Sequence, residues 1–183
     1  MRVEFLGTGT STGVPMIGCR CDVCRSKDSR DRRLRSSVCL TVDDKNILID
    51  CGPDFRQQML RSGIDHIDAV LLTHEHYDHT SGLDELRNFS RNNPIPIYAE
   101  PNVLDIIHQR LFYCFSEQPN PGVAHLELKA IENLSPFTLF GIDIEPVRVW
   151  HYRLPIIGYR IGRFAYITDM LTIPDGECAK LSN

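Results

Sequence analysis

The chain of 183 residues carries 20 Lys and Arg against 24 Asp and Glu, for a formal net charge of −4, and is 42% hydrophobic. That balance fits a single folded domain spanning 1–183, and it excludes a wholly disordered chain or one drawn to nucleic acid or anionic membrane by net charge. The start lacks the apolar core of a signal peptide and no apolar run could span a bilayer, while seven cysteines suit a reducing compartment. A cytoplasmic protein without membrane contact is therefore expected.

In chain order, RVEFL alternates as a strand and runs into the Gly/Thr-rich loop GTGTSTGVP. SVCLTVDDKNILIDCG, residues 37–52, has the shape of a hairpin turning at Asp43, Asp44, Lys45 and Asn46. PDFRQQMLRSG has helical spacing, with Pro53 near its start and Gly63 at its end. DAVLLT, at 68–73, is a short apolar strand covered on both faces. GLDELRNFSRNN is expected as a helix stopped by Asn93-Pro94, IPIYAE as a strand, and PNVLDIIHQRLFYCF as a helix opened by Pro101. The last third offers strands near FTLFGIDIEPVRVW, IIGYRIG and RFAYITD. Helices and strands interleave, and hairpins at both ends call for a mixed sheet in an α/β chain.

Directly after the strand at 68–73, THEHYDH places His74, His76 and His79 within six positions, with Asp78 among them. His74 and His76 are two apart on extended chain and project to the same side. Asp78 and His79 follow where the chain turns toward Gly82. One loop thus offers two imidazoles to one point, and a carboxylate with an imidazole to a neighbouring point. Those are donors for zinc, manganese or iron. Coincidental surface histidines are the weaker account, because the whole chain has only seven.

THEHYDH resembles the His-x-His-x-Asp-His signature of the metallo-β-lactamase superfamily. FLGTGTSTGVP is similar to the first strand and loop of its phosphodiesterase branch, ILIDCG to its Asp-x-Gly strand end, VWH to its isolated histidine and YITD to its late aspartate. The resemblance implies a four-layer αββα sandwich with mixed sheets and two divalent metals, zinc or manganese. It puts His74, His76 and His151 on one metal, Asp78 and His79 on the second, and Asp169 between them. It sets Asp50 behind the ligands, holding a histidine, and makes Asp78 the catalytic residue that orients the attacking hydroxide. His76, where flavodiiron oxidoreductases carry glutamate, favours hydrolysis over redox chemistry. An aspartate at 169, rather than the cysteine common in β-lactamases, favours phosphodiester hydrolysis on paired ions. The expected substrate is a small phosphodiester, with RNA next through a more distant similarity to ribonuclease Z. Thioester or lactone hydrolysis on the same metals is the alternative, as is an inactive metal-binding module, and a homodimer is a further expectation.

GCRCDVC sets Cys19, Cys21 and Cys24 in a C-x-C-x-x-C array, close enough to share a structural zinc but without an adjacent fourth ligand. Free and packed thiols are the alternative. The knuckle resembles that of the cyclic-phosphate phosphodiesterases accompanying the carbon–phosphorus lyase pathway, which implies an extra, non-catalytic zinc. GTGTSTG misses nucleotide-loop spacing and is expected as a turn near the metal cleft. RSKDSRDRRLR is balanced between a guide for anions and a self-paired solvated stretch. His66, His108 and His125 each stand alone and are left out of the site. The sequence ends fourteen residues after Asp169, where the proteins it resembles continue and supply one more histidine to the second metal. The expectation is a domain shortened at its C-terminus, with part of its second sheet short of cover.

Overall fold

The computed structural model describes residues 1–118 and 120–182. In chain order these form β1 (Arg2–Gly7), α1 (Asp22–Arg25), β2 (Ser37–Val42), β3 (Lys45–Ile49), α2 (Phe55–Ser62), β4 (Ala69–Leu71), α3 (Tyr77–Thr80) and β5 (Ile95–Ala99). Then follow α4 (Pro101–Arg110), β6 (Leu126–Ala130), β7 (Phe137–Leu139), β8 (Ile142–His151), β9 (Leu154–Ile161), β10 (Phe164–Tyr166) and α5 (Asp175–Cys178). One sheet of six strands runs in the order β1-β2-β3-β4-β5-β6, and a second of four runs β10-β9-β8-β7. The first is mixed, with β1, β2 and β3 antiparallel and β3 to β6 parallel. The second is antiparallel throughout.

Side chains that alternate along the central strands fill two cores. Leu48, Val70 and Ile97 point to the helical side, where they meet Phe55 and Met59 of α2 and Val103, Leu104 and Ile107 of α4. Ile47, Ile49 and Leu71 point the other way, onto Ile144, Ile157, Tyr159 and Ile161 of the second sheet. Both faces of β4 are therefore covered, which is why its sequence is apolar without alternation. The outer face of the second sheet presents Val147, Val149 and Ile156, against which Ile173 and Leu181 pack. There α5 is tied down by Glu177, which accepts the Arg148 amide at 2.7 Å, while Lys180 donates to the Pro146 carbonyl at 3.1 Å. The layers are thus helix, sheet, sheet and one short helical segment.

Four local expectations change. The helix opened by Pro101 ends at Arg110, and Phe112–Cys114 beyond it is a separate 3₁₀ turn. The segment expected as a helix from Gly82 is a 3₁₀ turn, Leu83–Asn88, in which Leu83 and Leu86, three apart, are the buried pair. Spacing of three suits the three-residue turn rather than the α-helix. The hairpin turns on Asp43 and Asp44 alone, at φ 45° and 62°, so Lys45 and Asn46 already belong to β3. Positive φ at both central residues matches the twist of the flanking strands. Finally, β6 lies where no strand is expected. Its LELKA carries no buried residue, only partly buried and exposed ones, because it borders the sheet beside β5.

Candidate metal centre

The candidate ligands lie at strand ends. Asp50 follows β3, His74 to His79 follow β4, His151 closes β8, and Asp169 comes three residues after β10. Backbone bonds lock these ends together. Cys51 N–H donates to the His79 carbonyl and Gly82 N–H to the Cys51 carbonyl, both at 2.8 Å. The Thr73 carbonyl accepts from Ile157 of β9 at 3.1 Å, joining the two sheets at the site. Trp150 N–H donates to the Thr172 carbonyl at 2.8 Å, and Leu171 N–H to the Trp150 carbonyl at 2.7 Å, which zips the His151 segment to the one carrying Asp169. Gly52 and Gly82 are required by close approach. A Cβ on the first would lie 2.0 Å from the Asp78 carbonyl oxygen, and on the second 2.2 Å from that of Gly52. Asp50 and Asp169 hold φ of 61° and 52°, left-handed backbone that non-glycine residues adopt mainly where the surroundings impose it.

Two donor sets result. One ligand atom each from His74, His76, His151 and Asp169 lie within 4.8 Å of one another, and so do those of Asp78, His79 and Asp169. Asp169 belongs to both. The His74 ring centroid is 4.6 Å from that of His76 and 5.8 Å from that of His151, with His76 and His151 5.2 Å apart.

The hydrogen-bond chain behind the cluster fixes which nitrogens face it. The Thr73 hydroxyl donates to the Asp50 carboxylate at 3.0 Å, so the contact of 2.9 Å between that hydroxyl and His74 Nδ1 must have the ring as donor. The lone pair of His74 then sits on Nε2, which is buried, has no hydrogen-bond partner and lies 3.7 Å from Asp169. Burial, and after it the charge of His79, pushes His74 down to about 4, so the ring is a neutral donor. A buried, unpartnered imidazole nitrogen aimed at a carboxylate is what a metal ligand requires.

Asp50 also takes His79 Nδ1 at 2.7 Å, while His79 Nε2 lies 3.1 Å from Asp169 and 3.3 Å from Asp78. Burial works against charge on His79, but Asp50 and hydrogen bonds to all three carboxylates outweigh it and hold the ring up at about 12. The hydrogen bond from His79 holds Asp169 down at about 2 against partial burial and lowers Asp78 likewise. Three carboxylates converging here make positive charge stable at this point. The donor set fits divalent cations.

The structure thus gathers His74, His76, Asp78, His79, His151 and Asp169 in one place, with Asp50 behind His79. Thr73, Arg110 and the strap between Trp150 and Thr172 are not anticipated from the sequence. Thr73 carries a weak signal, as a hydroxyl residue just before the first histidine. Cys19, Cys21 and Cys24 also converge, their Sγ atoms within 4.8 Å, around the start of α1. There the Cys21 Sγ accepts from the Cys24 amide, a bond that lowers the Cys21 thiol from its ordinary range. His66 and His125 sit on other surfaces, and His108 stacks on Phe115.

Residues 45–183 match the beta-lactamase superfamily domain, and the chain belongs to that family. It is 52% identical, over 98% of its own length, to an octanoyltransferase of Porphyromonas gingivalis, and it spans 37% of that protein. Among solved structures it is similar to a diphosphatase from the PhnP family, at 42% identity and a TM-score of 0.89, covering 98% of this chain and 68% of that one. It is also similar to Zn²⁺-bound PqqB of Methylobacterium extorquens, at 26% identity and a TM-score of 0.76, covering 98% and 69%. Among the described residues no helix is long and apolar enough to cross a membrane.

Proposed function

We propose that the chain is the core of a dinuclear metal-dependent hydrolase acting on a P–O bond of a small phosphodiester or related phosphate anhydride. The observation that carries this is Asp169, shared between a set with three histidines and a set with Asp78 and His79. Zinc or manganese ions held by those sets would supply a water nucleophile at neutral pH and positive charge against the phosphoryl oxygens. Asp78, a carboxylate of the second donor set, would orient the attacking water by accepting its hydrogen bond. Asp50 and Thr73 keep His79 and His74 turned with Nε2 toward the cluster. The similarity to a protein described as a diphosphatase supports phosphoryl chemistry. The cysteine set is the place for a further, structural zinc.

A second reading, cleavage of a thioester or other acyl bond on the same residues, draws on the relative named an octanoyltransferase, of which this chain spans 37%. Bis(p-nitrophenyl) phosphate and an acyl thioester, each offered with zinc or manganese, separate the two. Metal-dependent release of p-nitrophenol with an inert thioester supports the diester reading. Thioester cleavage alone overturns it. Elemental analysis of protein purified without chelator tests the metal pair, and no metal bound beyond the cysteine set would remove the basis of both readings.

A further inference from the structure

Four candidate ligands ride on the single loop from His74 to His79, and what holds the outer side of that loop is a residue remote in sequence. Arg110 is the last residue of α4. Its Nη1 donates to the Glu75 carbonyl at 2.6 Å and to the Thr80 hydroxyl at 3.3 Å, and its guanidinium lies 5.4 Å from the centroid of the Tyr77 ring. Thr80 in turn donates to the His76 carbonyl at 2.9 Å. The backbone carbonyls of Glu75 and His76, which precede and follow the His76 Cα, are therefore both held by hydrogen bonds. The anchor is stiff, because Val103, Leu104 and Ile107 bury α4 in the core beneath the first sheet. A charged donor to a carbonyl is among the stronger hydrogen bonds available to a protein, and Arg110 places two donor contacts and a ring contact on one stretch of six residues.

We infer that Arg110 is a positioning residue for the metal centre: it braces the His74–His79 loop from α4 and so sets how tightly the cluster retains its cations. The inference rests on the metal-centre reading above and adds a determinant outside the ligand set. Arg110 acts through the loop: its hydrogen bonds and ring contact go to Glu75, Thr80 and Tyr77, which are not in the ligand set.

The test compares wild type with Arg110→Met, which keeps the apolar stem, and Arg110→Lys, which keeps one charged donor. Zinc and manganese affinities are measured by competition with a chromogenic chelator, alongside thermal unfolding of the chelator-treated proteins and steady-state kinetics on bis(p-nitrophenyl) phosphate. Arg110→Met is expected to weaken retention of the active-site ions by up to about tenfold, no more than the low end for losing a direct hydrogen-bond partner of a ligand because Arg110 acts one step further out, with partial recovery in Arg110→Lys. Saturating metal should restore most of kcat with KM unchanged. Unaltered affinity with a raised KM would mean that Arg110 meets the substrate, and would overturn the inference. Unaltered affinity with only a lowered Tm would mean a purely structural role, and would overturn it equally. If wild type binds metal but cleaves no diester, the substrate reading fails while the affinity comparison still decides the role of Arg110.

Discussion

Thr73 and Asp50 carry the site without being ligands. Thr73→Val keeps the side-chain shape but removes the hydroxyl that joins Asp50 to His74, leaving the carboxylate and His74 Nδ1 each a bond short. A stability loss of about 1–3 kcal/mol is expected in thermal unfolding, together with weaker metal retention, since nothing then fixes the His74 tautomer. Asp50→Asn keeps a hydrogen-bonding oxygen but removes the charge opposite His79. Metal affinity in a chelator competition is expected to fall about 10–100-fold. Far from the site, Asp65 at 2.7 Å and the Asp44 carbonyl at 3.1 Å hold His66 above the usual imidazole range. A raised folded value means the contribution is complete below the unfolded value, about pH 6.5, and is lost as pH climbs from there through the higher folded value. The ring is about half exposed, so the effect is small. The Tm difference between wild type and His66→Gln should be widest near pH 5.5 and narrow toward pH 8.5. A gap that does not change with pH would exclude this role.

At the scale of elements, the site is a meeting of strand ends held by backbone, and the glycines at the crossing decide whether they can meet. At Gly52→Ala the new methyl would collide with main chain rather than with a movable side chain. The loop must shift, and a loss of about 1–3 kcal/mol is expected together with loss of bound metal, read by unfolding and elemental analysis. Elements with a single strong period are legible from sequence: α2 and the pairing of β2 with β3 stand where their residues indicate, and α4 opens at Pro101 as expected but stops at Arg110, short of Phe115. Leu83–Asn88 and β6 are not legible in this way. In the first, two leucines three apart fit either helix type until the neighbouring core is known. In the second, a half-exposed strand beside β5 lacks the apolar weight that marks a central one.

For the whole molecule, metal and fold are linked, because residues from both sheets meet at one cluster. An ion present at a hundred times its Kd adds about 2.7 kcal/mol to the folded state, so removing metal with chelator should lower Tm by on the order of 5–10 °C. A Tm indifferent to chelator and to added zinc or manganese would mean that the cluster binds no ion of consequence. The four layers also explain how one short loop can hold so many polar groups. His74 and Asp50 are wholly buried, yet each is paired within a hydrogen-bond chain that crosses from β3 to the β4 loop.

The sequence by itself determined the chemistry of the loop, since four donors within six residues after an apolar strand leave little else for His74, His76, Asp78 and His79 to do. It also determined the strand ends on which Asp50 and Asp169 sit. His151 and Asp169 read as site residues only through resemblance, because each stands alone in its own segment. Only the tertiary structure decided that Asp169 faces both donor sets, that Thr73 orients His74, and that Arg110 reaches the loop from α4. Arg110 reaches the loop across 30 to 35 positions of chain, Asp169 reaches it across 90 to 95, and Thr73 turns His74 only because Asp50, 23 positions earlier, accepts the hydrogen bond of its hydroxyl. Local sequence holds no record of which distant groups packing will bring within hydrogen-bonding reach.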